Sequence, residues 1–205
     1  MFTGIVQTKA TVVAIKEQHQ LRTFEVEIPE VYRQGLEVGA SVANNGVCLT
    51  VTECSDDSAF FDVMEETLRL TNLADIKVGD KVNIERSLSY GKEVGGHIMS
   101  GHIHTKAIIK QIDKTETNCT MTLSVPKQWM KYILHKGFIG IDGCSLTVGK
   151  LEEGEFALHL IPETLSITTL GERSVGDELN IEIDSQTQAI VDTVERVLAA
   201  KNLAS

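Results

Sequence analysis

The feature that most constrains this chain is an internal repeat held at one constant offset. Phe2, Thr3, Gly4, Ile5 and Val6 are answered 97 positions later by Met99, Ser100, Gly101, His102 and Ile103. The same step carries Pro29 onto Pro126, Gly46 onto Gly143, and Leu49, Thr50 and Val51 onto Leu146, Thr147 and Val148. It carries Glu66, Thr67 and Leu68 onto Glu163, Thr164 and Leu165, and Val78, Gly79 and Asp80 onto Val175, Gly176 and Asp177. Asn83, Ile84 and Glu85 recur as Asn180, Ile181 and Glu182. One register without a gap spans nearly the whole first half, so the chain reads as a duplicated domain.

Each copy reads as all-β. Phe24, Val26 and Ile28 alternate with Thr23, Glu25 and Glu27, the period of two that buries one face of a strand. Met121, Leu123 and Val125 repeat the pattern, and shorter alternations stand at Phe61/Val63, Val82/Ile84, Leu158/Leu160 and Leu179/Ile181. Val-Gly-Asp and Asn-Gly turn signals separate them. Some six short strands in under 100 residues predict a small closed barrel, which leaves no exposed strand edge. Glu65–Leu73 and Glu163–Leu170 are expected to form single helical turns.

Arg86–Gly96, with Gly91, Gly95 and Gly96, reads as the linker between copies. From Gln188 onward the pattern changes: Ile190, Val191, Val194, Val197, Leu198 and Leu203 recur at helical spacing. Ser185 with Gln188 matches a capping box. The helix has no counterpart in the first copy, and its apolar stripe is to be covered either by self-association or by its own barrel. The expected division is therefore 1–97 for the first barrel, 98–184 for the second and 185–205 for the helix.

Charge and cysteine usage narrow the function classes. With 19 basic and 29 acidic side chains the formal charge is −10, which disfavours nucleic-acid and anionic-membrane partners. No apolar run approaches the roughly 20 residues of a membrane-spanning helix, and the N-terminus lacks signal-peptide features, so a cytoplasmic protein is expected. Cys48, Cys54, Cys119 and Cys144 form no CxxC pair, so free thiols are expected and a structural zinc is not.

The ordered motifs MFTGIV, NGVCLTV at Asn45–Val51, ETLRLTNL at Glu66–Leu73 and GGHIMSGHI at Gly95–Ile103 resemble the riboflavin synthases. So do KGFIGIDGCSLTV at Lys136–Val148, IPETL at Ile161–Leu165 and NIEID at Asn180–Asp184, and together these motifs span the chain. The resemblance implies two six-stranded Greek-key barrels with a C-terminal helix, a homotrimer held largely by that helix, and one lumazine site per barrel. It implies dismutation of two 6,7-dimethyl-8-ribityllumazine molecules to riboflavin and 5-amino-6-ribitylamino-uracil, between the first barrel of one subunit and the second barrel of its neighbour. It implies no metal and no cofactor, because the electron-poor pteridine supplies the chemistry, and it names lumazine synthase as a candidate partner.

By the same resemblance, one pocket is lined by Cys48, Leu49, Thr50, Asp62, Val63, Met64, Glu65, Glu66 and Thr67, with Gly101, His102, Ile103 and Lys136 close by. The other is lined by Ser145, Leu146, Thr147, His159, Leu160, Ile161, Pro162, Glu163 and Thr164, with Gly4, Ile5 and Val6 nearby. Gly4, Gly101, Thr50 and Thr147 suit a uracil-like edge, and the carboxylates and hydroxyls of Asp62, Glu66, Thr67, Glu163 and Thr164 suit a ribityl tail. Donor and acceptor must be treated differently, and the repeat is asymmetric where that matters: Ser41 maps to Phe138, Cys48 to Ser145, Asp62 to His159 and Ile5 to His102.

Ser41, Cys48, His102, Lys136 and Asp184 are the catalytic candidates, each with a plainer reading. Cys48 could position or supply a nucleophile, or simply be a buried thiol. Ser41 could polarise substrate or satisfy a turn. His102 suits proton removal from the acidic lumazine methyl, or ring stacking. Lys136 could meet an anionic intermediate, or be a solvated lysine. Asp184 could cap the helix as well as act in the reaction. His97, His102 and His104 invite a metal reading, weakened because His102 and His104 would share one face of a strand while His97 points away. The rival functions are a non-catalytic antenna protein of the same fold and a reductase flavin barrel. The retained second-copy motifs count against the first, and the missing nicotinamide-binding unit against the second.

Overall fold

The computed structural model describes residues 1–203. The last two positions of the helical segment expected over 185–205, and the Leu203 side chain, lie outside the described residues. The first copy runs β1 (Thr8–Gln18), β2 (Leu21–Glu27), a single turn α1 (Glu30–Arg33), β3 (Ser41–Asn44), β4 (Val47–Cys54), β5 (Ser58–Met64), α2 (Glu65–Leu70) and β6 (Lys81–Arg86). The second runs β7 (Thr105–Lys114), β8 (Cys119–Ser124), β9 (Phe138–Ile141), β10 (Cys144–Glu152), β11 (Glu155–Leu160), α3 (Pro162–Ile167) and β12 (Glu178–Ile183), and α4 (Ser185–Leu203) follows.

Among the described residues the strands close into two antiparallel six-stranded barrels, in the order β1-β2-β5-β4-β3-β6 and its repeat β7-β8-β11-β10-β9-β12. Even the irregularity repeats: the bulge between Val12 and Ala14 recurs between Ile109 and Gln111, 97 positions on. The alternations read from sequence do what period two requires. Phe24, Val26, Phe61, Val63, Val82 and Ile84 fill the first core, and Met121, Leu123, Leu158, Leu160, Leu179 and Ile181 fill the second. The two predicted helical turns are α2 and α3, each continued by a 3-10 turn.

The barrels meet across an approximate two-fold axis, and the Asn-Gly hairpin turn is the reason they can. Asn45 and Gly46 have φ of 46° and 79°, and Asp142 and Gly143 have 44° and 86°, the left-handed pair a two-residue hairpin demands. These turns abut so closely that a Cβ on Gly46 would lie 2.6 Å from the Gly143 amide nitrogen. Around them lies a buried polar lattice. The Asn83 side chain donates to the Asp142 carbonyl at 2.9 Å, and the Asn180 side chain donates to the Asn45 carbonyl at 2.9 Å. The symmetry fails where Asn72, whose side chain donates to the Asp142 carboxylate at 2.9 Å, becomes Thr169, and it fails again beside it. Buried Asp142, the counterpart of Asn45, pairs with Arg173 at 2.9 Å, where the first copy has Ile76. Burial pushes the Asp142 carboxyl up against the pull of that guanidinium.

The opening segments of the two copies cross. Phe2 and Met99 form an antiparallel bridge with N–H···O distances of 2.8 and 3.0 Å. Thr3 and Gly4 donate to the Glu85 carboxylate on β6, and Ser100 and Gly101 donate to Glu182 on β12. Each segment is thus pinned to the last strand of its own barrel while its glycine reaches the other.

Helix α4 corrects one detail. Asp184, not Ser185, is the N-cap: its carboxylate accepts from the Thr187 N–H at 2.9 Å and from the Thr187 hydroxyl at 2.7 Å. A polar edge holds the helix to its own chain, through His104 to Gln188 at 3.1 Å, Tyr132 to Asp192 at 2.5 Å and Lys131 to Glu195 at 2.5 Å. Ile190, Val194, Val197 and Leu198 remain exposed.

Candidate functional site

The crossed segments build two related clefts. In the first, the Cys48 N–H at the start of β4 donates to the Gly101 carbonyl at 2.9 Å; in the second, the Ser145 N–H at the start of β10 donates to the Gly4 carbonyl at 2.8 Å. Both glycines are obligatory. Gly101 has φ +83° and a Cβ there would fall 2.5 Å from the Cys48 Cβ, while Gly4 has φ +73° and a Cβ there would fall 2.5 Å from the Ser145 Cβ. The segment bearing Gly101–Ile103 therefore lies on the first barrel, and that bearing Gly4–Val6 on the second.

Around the first cleft, Cys48 is a half-buried free thiol packed against Phe2, Ala43 and Met99. Ser41 pairs with exposed Thr50 across β3 and β4. Asp62, on the outer face of β5, accepts from the Thr23 hydroxyl at 2.6 Å. Leu49 and Val63 point into the core, so only their main chain is available outside. Met64 stands 66% exposed where β5 turns into α2, followed by Glu65, Glu66 and Thr67. Glu66 forms a bidentate pair with Arg69, whose hydrogen bonds hold its carboxyl below the usual range. His102 is exposed, and Ile103 packs against the first core.

The second cleft repeats this frame with different chemistry. Phe138 pairs with Thr147 across β9 and β10. His159, counterpart of Asp62, lies 3.2 Å from the Thr120 hydroxyl. Leu160 and Val6 are core residues, and Leu146 packs against the same core. Ile161 is 63% exposed where β11 turns into α3, which carries Pro162, Glu163 and Thr164. Ile5 is exposed. Lys136 belongs to this barrel within one chain: it is exposed on the turn into β9, with φ +63°, and its N–H donates to the Val148 carbonyl at 2.9 Å.

One residue was read from the sequence only as a metal candidate, and its place in the second cleft was missed. His97 is buried beside Ser145, its Nδ1 2.7 Å from the Ser145 Oγ, and its ring stacks on Phe138 at 5.1 Å. Burial pushes its pKa down, opposed by the charge of Asp184. Burial also pushes the Asp184 carboxyl up, but the hydrogen bonds from Thr187 and Gln186 and the nearby imidazole outweigh it, leaving that pKa below its ordinary value. The available signal was the Gly95–Gly96 pair. A Cβ on Gly96 would fall 2.6 Å from the Ser145 Cβ, so only glycine lets the linker lie on Ser145.

The histidine strand is a correction. Gly101 breaks the extended run, β7 starts only at Thr105, and His102 and His104 lie in the loop before it. Among the described residues no group of three or more His, Cys, Asp or Glu could hold a metal ion. No described helix is long and apolar enough to cross a membrane.

Paired clefts on tandem closed barrels define a class, and the family comparison agrees. The lumazine binding domain matches twice, over residues 3–87 and 100–184, making this a duplicated lumazine-binding-domain protein. It is 58% identical to the riboflavin synthase of Escherichia coli (strain K12) over 98% of this chain and 95% of that one. It is 47% identical to the riboflavin synthase of Buchnera aphidicola subsp. Schizaphis graminum over 97% of this chain and 96% of that one. The chain belongs to the riboflavin synthase family and is an enzyme. Among solved structures it is similar to LumP complexed with 6,7-dimethyl-8-(1'-D-ribityl) lumazine, with a TM-score of 0.83 and 25% identity over 90% of this chain and all of that one. It is likewise similar to LumP complexed with riboflavin, at a TM-score of 0.84 and 28% identity.

Proposed function

We propose that the enzyme dismutates two 6,7-dimethyl-8-ribityllumazine molecules to riboflavin and 5-amino-6-ribitylamino-uracil, transferring a four-carbon unit between them. The observation that carries this reading is the pair of clefts with one main-chain frame and different side chains. Gly101 to Cys48 and Gly4 to Ser145 repeat the same hydrogen bond, so each cleft suits the same ring. Ser41 and Cys48 face Phe138 and Ser145 at equivalent positions, so the two rings meet different groups, as a donor and an acceptor require. Met64 and Ile161 offer apolar surface to a flat ring, and Asp62, Glu66, Thr67, Glu163 and Thr164 offer polar groups to a ribityl chain.

The reactive site completes itself between the first barrel of one subunit and the second barrel of another. Holding two dilute substrates face to face makes their encounter effectively intramolecular. The exposed Ile190, Val194, Val197 and Leu198 of α4 support a homotrimer assembled through that helix, with the polar edge left to dock on its own barrel. Within this reading Cys48, Ser41, His102, Lys136 and Asp184 are the reacting or steering groups, and no metal or cofactor is needed. An outer assembly with lumazine synthase and a cytoplasmic location complete the proposal.

The test is incubation of the purified protein with 6,7-dimethyl-8-ribityllumazine alone. One riboflavin per two lumazines consumed, over many turnovers, is the expected result. Tight binding without turnover would overturn the dismutation.

A further inference from the structure

The second copy changes one joint, and it lies at the root of α4. In the first copy Gln7 extends the β6 ladder by one step. Its N–H donates to the Ile84 carbonyl at 2.8 Å, and its side-chain oxygen accepts from the Arg86 N–H at 2.9 Å. Its counterpart 97 positions on is His104. The His104 N–H donates to the Ile181 carbonyl at 2.9 Å, and its Nδ1 lies 3.2 Å from the Ile183 amide nitrogen. The imidazole thus takes the place of the glutamine amide and then reaches further. Its Nε2 lies 3.1 Å from the Gln188 Oε1 of α4, an element the first copy lacks. The half-buried ring also meets Trp129 edge-on at 5.5 Å, where the first copy has Tyr32.

These contacts fix the proton. A backbone N–H can only donate, so Nδ1 must present its lone pair to Ile183, and the ring proton sits on Nε2 and is donated to Gln188. The glutamine of the first copy accepts at any pH; the imidazole accepts only while neutral. An imidazolium carries N–H on both nitrogens and would turn one of them against the Ile183 N–H. The charged groups around the ring are already engaged. Lys106 pairs with Glu178 between β7 and β12, and Arg69 of α2, which lines the same groove as His104, pairs with Glu66. Glu182 of β12 accepts from Ser100 and Gly101. Asp184 caps α4, Asp192 accepts from the Tyr132 hydroxyl, and Glu195 pairs with Lys131. The ring is left to Ile183 and Gln188.

We propose that His104 is the positioning residue of α4 and a pH-sensitive one: neutral, it ties the helix to the end of β12 and holds its apolar stripe ready for assembly; protonated, it releases that tie. The inference rests on the reading of α4 as the helix that assembles the trimer. Mild acid then loosens the assembly, a control that a glutamine at this position would not supply.

Trp129 is the sole tryptophan of the chain, so its fluorescence reports the joint while sedimentation reports the assembly. The full chain is titrated from about pH 8 to about pH 5.5, the span in which histidine changes charge. The expected result is that trimer is lost and Trp129 emission shifts together and reversibly, with dissociation taking up about one proton per subunit. His104→Gln, which restores the residue of the first copy, is expected to flatten both curves. His104→Lys, charged throughout the span, is expected to be dissociated already at about pH 8 with its circular-dichroism spectrum intact. A wild-type trimer that persists over the whole span, or a transition that His104→Gln reproduces, would overturn the switch. Wild-type protein that is monomeric at about pH 8, with a Trp129 titration that His104→Gln abolishes, would instead remove the trimer reading and keep His104 as the tie of α4.

Discussion

Single residues set the clefts, and glycine does so by what it lacks. Gly101→Ala must both adopt φ +83° and push a methyl to 2.5 Å from the Cys48 Cβ. Gly4→Ala meets the same fate at Ser145. Each is expected to deform one cleft while its barrel core, which neither touches, stays folded. Lumazine titration of Gly101→Ala should show the first site lost and the second retained, with the reverse for Gly4→Ala; joint loss would mean the clefts are not separable. Asp184 gives a second prediction. As N-cap it is expected to contribute about 1 kcal/mol over Ala. Its folded pKa is depressed, so the charge-linked part of its stability is complete above the unfolded carboxylate value of about 3.9 and fades as pH falls through the folded one. Urea midpoints should therefore separate wild type from Asp184→Ala most at neutral pH and least in acid, with Asp184→Asn, which also caps, in between. At this scale the sequence was only partly readable. Ser185 and Asp184 both fit a cap, and one residue's backbone angles decide between them. His97 was seen only as a metal ligand, because a repeat directs attention to residues that have counterparts.

Elements were far more legible. Period-two alternation located strands on either side of both copies, and the 97-residue step then transferred each assignment from one copy to the other. What alternation cannot show is where a segment without it will go. The histidine geometry was weighed as if His97–His104 lay on a strand, yet Gly101 turns that segment into a crossing loop. Helix α4 was legible as a helix but not in its use, since a stripe records that a face is apolar and not what covers it. Its polar contacts to His104, Lys131 and Tyr132 orient it, and leave Val194 51% exposed. Val194→Glu is expected to leave the circular-dichroism spectrum intact and shift sedimentation from trimer to monomer. Turnover should fall with it if, as proposed, the reactive site is completed between two subunits. A trimer that survives the substitution would remove α4 from the interface.

At the scale of the whole molecule, duplication poses a problem of pairing: two like barrels can each seek a copy of themselves. The buried lattice between them repeats across the axis, and it departs from symmetry where Asn45, Asn72 and Ile76 of the first copy become Asp142, Thr169 and Arg173 of the second. The sequence displayed these substitutions but not that they touch, because contact across the axis joins residues with no local pattern. A buried ion pair is a costly way to fill such a position, since well-packed neutral residues often do as well or better. Arg173→Ile alone strands the Asp142 charge and is expected to cost about 3–5 kcal/mol. Asp142→Asn alone costs less, because Arg173 keeps 21% of its side chain in solvent. The double substitution restores the first barrel's residues at these two positions, and it offers the Thr169 hydroxyl, which has no partner among the described residues, the amide that Asn45 gives Asn72 at 3.3 Å. Urea unfolding of the four proteins should therefore show strong coupling, with the double variant restored to within about 1 kcal/mol of wild type. Additive losses would mean that Asp142 and Arg173 act separately. A restored double variant would mean that the pair adds little to stability, leaving the choice of barrel partner as its reason to exist.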